Sequence, residues 1–321
     1  MSRVLVIAPQ WLGDAVMSHA LIQLLAEQHT VDVLCAEWLS AVYRRMPHVE
    51  QVTGIDLKHG KLPIKYYWQV AQQLKGRYQQ CFIIPRKLKS ALIPWFAGIP
   101  KRTAYLGESR YFLVNDRVQQ DPQQHFWVEK VCGLFKSGVK LAELPNPKLI
   151  VNEQSKAEWL QRLEIKDRKL IALMPGASYG PSKQWPIENF SQLAQQLASS
   201  STVIVLGGQA EFEIGEAIKQ GNAGVINLCG KTSLEDTIDL LALCDSAVSN
   251  DSGLMHIAAA VGCFVKALYG SSSPDYTPPL TTSKTIYSDT LGCKPCFKRQ
   301  CEFNHYDCWR KISVNRVLDE S

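Results

Sequence analysis

The chain of 321 residues contains no apolar run approaching the roughly 20 residues needed to cross a bilayer, which argues against a membrane-spanning helix. It lacks a basic segment followed by an apolar stretch at its start. Met1-Ser2-Arg3 runs straight into Val4-Leu5-Val6-Ile7-Ala8, so no secretory leader is expected. The loop behind that first strand-like run has a single glycine, Gly13, where a dinucleotide-binding oxidoreductase would carry G-x-G-x-x-G. No strand leads into G-x-x-x-x-G-K-[ST], which argues against a P-loop nucleotidase. A large charge excess is also missing. The net charge of +5 is too small for a nucleic-acid-binding tail and suits an anionic substrate or an anionic membrane surface. Cysteine is plentiful, with ten residues; without a leader they read as reduced, cytosolic thiols. Six of them (Cys35, Cys81, Cys132, Cys229, Cys244 and Cys263) lie in or beside apolar segments, where the thiol packs as a small hydrophobe.

What is present is a strand–loop–helix pattern that occurs twice, in a globular composition large enough for two domains. The first half predicts a strand over 3–8, the loop Pro9-Gln10-Trp11-Leu12-Gly13-Asp14, a helix over 15–28 with Leu21, Leu24 and Leu25 on one face, and a strand over 31–34. Asp14 stands where open α/β sheets hold ligands, at the carboxyl end of the first strand. A helix N-cap or a first-turn acid is the plainer role for it. Residues 36–75 read as helical segments, and 80–84 as a strand ending at Pro85. Arg86, Lys87, Lys89, Arg102 and Arg110 then form the densest basic group of this half, suited to an anionic acceptor. Between them runs Ala91-Leu92-Ile93-Pro94-Trp95-Phe96-Ala97-Gly98-Ile99. That basic–apolar–basic order fits either a buried helix with solvated ends or a face turned to anionic lipid. A helix follows over 125–137. The breakers Leu144-Pro145-Asn146-Pro147 place a linker that divides the chain into domains 1–150 and 151–321.

The second half repeats the pattern with strands over 169–174, 202–206, 225–229 and 264–268, each running into a loop rich in Gly, Ser or Thr. Thr232 or Ser233 is placed to cap a helix over 234–244, with Glu235 or Asp236 closing a capping box. The most informative stretch is Ser246-Ala-Val-Ser-Asn-Asp-Ser-Gly-Leu-Met-His-Ile-Ala-Ala-Ala260. A short strand ends in the corner Asp251-Ser252-Gly253, and a helix begins near Leu254. The first amides of such a helix have no intrahelical partner and point at the corner, where the dipole adds partial positive charge; a phosphate is the natural occupant. His256 lies on the first turn. The plainer alternative is a βα turn capped by Asp251 or Ser252. Lys183, in the loop over 175–186, and Glu211, after Gly207-Gly208, lie in the loops of neighbouring strands. Together these loops describe a nucleotide-diphosphate site without a Walker lysine.

Four ordered motifs carry a resemblance over essentially the whole chain: Val4 through Asp14; Met174-Pro175-Gly176-Ala177 through Lys183-Gln184-Trp185-Pro186; Ser249 through His256; and Tyr269-Gly270-Ser271-Ser272-Ser273-Pro274. They resemble the heptosyltransferases of lipopolysaccharide inner-core assembly, inverting GT-B glycosyltransferases of family 9. The resemblance implies an α/β fold of two Rossmann-like domains facing across a cleft. It implies an ADP-L-glycero-D-manno-heptose donor on the C-terminal domain and, as acceptor on the N-terminal domain, the first heptose of a Kdo-bearing lipid A. It implies Asp14 as general base, Lys183 on the donor phosphates, Asp251, Ser252, Gly253, Leu254 and His256 around the diphosphate, and Glu211 at the ribose. The chemistry is coherent: a carboxylate takes the acceptor proton, while amides and a lysine stabilise the leaving diphosphate. No metal or other cofactor is then needed. The location expected is cytoplasmic, with peripheral contact at the inner membrane, and no nucleic-acid partner is expected. The alternatives are a transferase for a different core acceptor and a nucleotide-sugar-binding, hydrolysing or epimerising protein of the same fold.

One segment is left over. Cys293, Cys296, Cys301 and Cys308 fall within 16 residues, interleaved with Lys294, Phe297, Lys298, Arg299, Phe303 and Trp309. C-x2-C opens like a zinc site, but the second half lacks the matching spacing. A structural metal, a disulfide and an ordered loop beside the acceptor site are the readings. A short helix over 312–318 closes the chain, and its return to the N-terminal domain is not expected.

Overall fold

Val4, Leu5, Val6 and Ile7 are consecutive and all buried, a pattern only a strand covered on both faces can have. They belong to β1 (Ser2–Ile7), the centre of a six-stranded sheet with β2 (His29–Ala36), β3 (Val49–Ile55), β4 (Gln80–Ile83), β5 (Lys101–Tyr105) and β6 (Asp116–Val118). The order is β3-β2-β1-β4-β5-β6, and every pair is parallel. A second sheet comprises β7 (Lys169–Met174), β8 (Ser201–Val205), β9 (Val225–Asn227), β10 (Ser246–Asn250), β11 (Phe264–Tyr269) and β12 (Lys284–Ser288). Its order, β12-β11-β10-β7-β8-β9, is the same pattern, again wholly parallel. This computed structural model describes residues 2–56, 63–165 and 169–319, and the chain divides into compact units of residues 1–148 and 149–321.

Each sheet has its own core. In the first, Leu5, Ile7, Cys81 and Ile83 pack against Tyr67, Val70 and Leu74 of the helix Ile64–Leu74, and against Ile93, Ala97 and Ile99. The apolar segment 91–99 is therefore interior for the most part, as a buried helix requires. Trp95, at 45% exposure, is the large side chain that stands out of it. In the second, Leu173, Val203, Val205, Val248 and Leu268 meet Trp185, Phe190, Trp309, Ile312, Val314 and Val317. The last three bring the closing helix Val314–Asp319 onto the sheet of its own unit, where Lys266 Nζ donates to Val317 O (2.5 Å).

Helix ends follow local chemistry. Ser233 and Asp236 form the capping box of Leu234–Leu241: Ser233 Oγ accepts from Asp236 N at 3.0 Å, and Asp236 Oδ2 accepts from Ser233 N at 2.9 Å. Gly262, at φ +86°, ends the helix Gly253–Ala260. Cys263 N donates to Ala258 O at 3.0 Å and Gly262 N to Ala259 O at 3.3 Å, the paired bonds of a left-handed C-terminal cap.

Several expectations are corrected. The helix read over 15–28 is two, Leu12–Met17 and His19–Ala26, divided at Ser18, whose hydroxyl donates to Ala15 O (2.6 Å). The helix over 125–137 shortens to Trp127–Cys132. Residues 36–75 hold β3 as well as helices, with 57–62 outside the described residues. β5, β6 and β12 were also not read as strands. All four lie at or next to a sheet edge and include half-exposed polar positions, so they lack the apolar run of a central strand.

Candidate active site

In both sheets the chain builds outward from one strand in one direction and then crosses to that strand's other side. The reversal falls between β1 and β4 in the first unit and between β7 and β10 in the second. At such a switch point the two exit loops part at the carboxyl ends of the strands and leave a ligand-sized crevice. The helix that follows β1 carries Asp14 in its first turn, and the connection after β4 carries Arg86, Lys87 and Lys89. The loop after β7 carries Lys183 and the corner after β10 carries Asp251, Ser252 and Gly253.

The second unit's switch point is closely knit. Lys183 Nζ lies 2.5 Å from Asp251 Oδ2; the two side chains are 17% and 5% exposed. Asn250, the last residue of β10, ties the loops together. Its Nδ2 donates to Pro175 O (2.6 Å), and its Oδ1 accepts from Trp185 N (3.0 Å). Ser252 is the N-cap of Gly253–Ala260 in extended geometry, yet its side chain makes no capping hydrogen bond. The capped-turn alternative is thus not what forms: Asp251 pairs with Lys183, and neither side chain caps the helix. His256, three residues into that helix, is 4% exposed, and its Nδ1 is buried without a hydrogen-bond partner. Burial pushes its imidazole down to about 4; Asp251 opposes that shift and Lys183 reinforces it. The ring is neutral at physiological pH. Glu211 lies over the neighbouring turn, with Oε2 accepting from Gly208 N (2.8 Å). A Cβ on Gly176 would come within 2.9 Å of Glu211 Cγ, so a larger residue there would push the Glu211 side chain aside.

The cysteine-rich segment packs on the loop that carries Lys183. Ser182 N and Oγ donate to Arg299 O (3.2 Å) and Lys298 O respectively, and Cys296 N and Phe297 N donate to Ser271 O (3.1 and 2.9 Å). Trp309 Nε1 donates to Ser182 O (3.1 Å). Tyr179 donates its hydroxyl proton to Phe297 O (2.6 Å), and its ring carries Lys183 Nζ 5.3 Å from the centroid and the Arg299 guanidinium 5.6 Å from it. The segment is a strap across the Lys183 loop. All ten cysteines are free thiols, and among the described residues no group of three or more His, Cys, Asp or Glu side chains is placed to hold a metal ion. Sequence reasoning missed Asn250, Tyr179, Ser182 and Arg299. Asn250 stood inside a quoted motif, but its bridging role depends on which strands are neighbours.

In the first unit Asp14 is a half-buried acid in the first turn of Leu12–Met17. Trp11 is the N-cap, so Asp14 is not the cap itself. The basic group divides. Arg86, Lys87 and Lys89 remain at the surface, Arg86 over the Tyr105 ring and Lys87 2.8 Å from Glu108. Arg110 turns inward, and the half-exposed Arg102 is tied to its own unit's backbone. Arg110 is 1% exposed, with Nη1 donating to Pro85 O (2.7 Å) and Lys87 O (3.1 Å) and Nη2 to Tyr105 O (2.7 Å). Arg102 donates to Leu113 O (2.7 Å) and Ile99 O (2.6 Å). Both guanidiniums satisfy backbone carbonyls, and Arg110 Nη1 also donates to Ser90 Oγ (3.0 Å).

Known proteins share this arrangement. The profile of "Glycosyltransferase family 9 (heptosyltransferase)" matches residues 67–307. The lipooligosaccharide heptosyltransferase 2 of Haemophilus influenzae is 38% identical, over 88% of each chain. The lipopolysaccharide heptosyltransferase 2 of Salmonella typhimurium is 36% identical, over 99% of this chain and 97% of its own. The solved structure of Escherichia coli ADP-heptose LPS heptosyltransferase II superposes with a TM-score of 0.84 at 34% identity, over 99% of this chain and 97% of that one. Its two wholly parallel sheets and the length of these matches place the chain in glycosyltransferase family 9, the heptosyltransferases.

Proposed function

We propose that this enzyme transfers L-glycero-D-manno-heptose from ADP-heptose to the first heptose of the lipopolysaccharide inner core, with inversion and formation of an α-linkage. The observation that carries the donor side is the uncapped helix start at Ser252-Gly253-Leu254 beside a buried, unpartnered His256 Nδ1 and the Lys183–Asp251 pair. The pair is close to neutral as a unit, so the helix amides supply the net positive potential. As the glycosidic bond breaks, charge grows on the diphosphate, and amides and ammonium fixed in advance stabilise that state more than the ground state. Asp251 acts as the post that holds the Lys183 ammonium at the loop mouth. His256, neutral, offers a hydrogen bond without a charge. Glu211 is assigned to the ribose hydroxyls.

On the acceptor side Asp14 accepts the proton of the attacking hydroxyl, and Arg86, Lys87 and Lys89 face the anionic groups of the core. The acceptor is lipid-linked, so the reaction takes place at the cytoplasmic face of the inner membrane. Asp14→Asn is expected to leave ADP-heptose affinity within about twofold and to lower kcat by about 10²–10⁴, the size of a general-base contribution. Turnover close to the parent would remove Asp14 from the mechanism. Incubation with ADP-heptose and a series of core-truncated lipopolysaccharides tests the acceptor: heptose should add to the acceptor ending in one heptose. Addition only to the Kdo-terminated form would overturn that assignment.

A further inference from the structure

Phe112 is 90% exposed and its neighbour Tyr111 50%, at the tip of the connection between β5 and β6. This exposure is built. Glu108 and Ser109, both in the left-handed region (φ +46° and +53°), turn the chain outward. The next residue, Arg110, plunges back and bonds the carbonyls of Pro85, Lys87 and Tyr105, and on the far side Val114 is fully buried. Glu108 Oε2 accepts from Leu88 N (2.7 Å), joining the tip to the loop after β4, which presents Leu88 at 38% exposure between Lys87 and Lys89. Arg117 donates to Tyr111 O (2.8 Å) and lies 5.5 Å from the Tyr111 ring centroid. Leaving out the buried Arg110 and the carbonyl-bound Arg102, the segment from Pro85 to Val118 still carries five Lys or Arg against two acids, a surplus of three.

We infer that this tip is where the enzyme meets an anionic bilayer: Phe112 and Tyr111 enter the headgroup layer while Arg86, Lys87, Lys89 and Arg117 face lipid phosphates. Aromatic rings ringed by basic side chains are the composition of membrane–water interfaces, and juxtamembrane Lys and Arg gain several-fold in affinity each from anionic lipid. A second copy of the chain is the poorer occupant. A stable dimer buries about 800 Å² per partner, and a protruding two-residue tip offers little of that, whereas a soft headgroup layer admits it. The segment 91–99, for which the sequence leaves open a buried helix or a lipid-facing one, is mostly interior; the tip offers the lipid-facing role on different residues. The inference rests on the reading of a lipid-linked acceptor, but its test needs neither substrate.

The full chain is mixed with sedimentable vesicles of phosphatidylcholine, with and without phosphatidylglycerol, in the absence of donor and acceptor. The wild type should co-sediment with the anionic vesicles only, and less so at high salt. Tyr111→Ser/Phe112→Ser should lower partitioning about tenfold or more at unchanged Tm, and Lys87→Gln/Lys89→Gln should lower it and flatten the salt dependence. The first variant should retain full turnover on a soluble, lipid-free acceptor. Wild type that ignores anionic vesicles, or a serine variant that binds them as well as the parent, overturns the inference. So does self-association of the wild type without lipid that the serine variant abolishes. A protein active on soluble acceptor but indifferent to vesicles would leave the transferase reading standing and this one refuted.

Discussion

His19 and His256 are both buried imidazoles held neutral. His19 is fully satisfied, with Nε2 bonded to Pro47 O (3.0 Å) and Nδ1 accepting from Lys148 N (2.9 Å), whereas His256 keeps a bare Nδ1. That difference separates a structural histidine from one available to a ligand. Burial brings both down to about 4 from about 6.5. Between those values the unfolded chain binds more protons than the folded one. Stability is therefore complete above about pH 6.5 and is lost as pH falls towards 4, by up to about 2 kcal/mol per imidazole at pH 5. Urea denaturation at pH 7 and pH 5 should show that loss, and His19→Gln/His256→Gln should remove most of it. The Lys183–Asp251 pair predicts a different signature. Lys183→Met leaves a 5%-exposed carboxylate without its partner and should cost about 3 kcal/mol, whereas Lys183→Met/Asp251→Asn should recover most of it without recovering activity. Denaturation midpoints of the two variants, with turnover, check this. Asp251, His256 and Lys183 stand out in the sequence because motif and loop chemistry are local. The burial of Arg110 is not legible there, because a buried guanidinium and a surface one are the same letter, and only the carbonyls it meets tell them apart.

Among the elements, the strap over 296–309 bears most directly on the site, because it fixes the loop that carries Lys183 without supplying an obvious ligand of its own. Gly270 is where this can be tested. A Cβ there would overlap the Trp309 indole and approach Ser182 O, so Gly270→Ala must displace the indole or the loop. Donor affinity is expected to fall by about tenfold to a hundredfold, with near-native circular dichroism, since a displaced Lys183 misses the phosphates. Isothermal titration with ADP measures it. The legibility of elements follows burial. β1 and β7 are legible because both their faces are covered and their letters run apolar over Val4–Ile7 and Leu170–Met174, whereas β10 shows only Ala247-Val248 before its polar corner. Edge or near-edge strands such as β3, with Val-Glu-Gln-Val-Thr-Gly-Ile half in water, carry no such run. The switch points could not be read at all, because they are properties of strand order and not of any one strand.

For the molecule as a whole, the cysteines report on integrity. Burial pushes the Cys35, Cys229 and Cys263 thiols up to about 12 and raises Cys81, Cys132 and Cys244 as well, so none of these six forms thiolate in the native state. Cys293 and the three cysteines of the strap are more accessible, and backbone N–H groups around Tyr306 lower Cys301. At pH 8 a disulfide reagent such as 5,5'-dithiobis(2-nitrobenzoate) should titrate at most four thiols, Cys301 fastest, and all ten after denaturation. More than four before unfolding would show that a core opens. The double-domain reading was legible because the same strand–loop–helix pattern starts twice. The second core's use of Ile312, Val314 and Val317 was not, since the last helix is too short to show a face.

The boundary between the units has a further consequence. Lys148 is bonded into the first unit through His19, and Leu149 N bonds into the second through Ala260 O at 3.1 Å. Neither sheet borrows a strand from across that bond, and the final helix stays with the unit it ends in. A genetic crossover at this position cuts no ladder and no helix. A chimaera joined there with a half from a related chain is expected to keep every strand and core residue of each sheet together, and its thermal unfolding checks this.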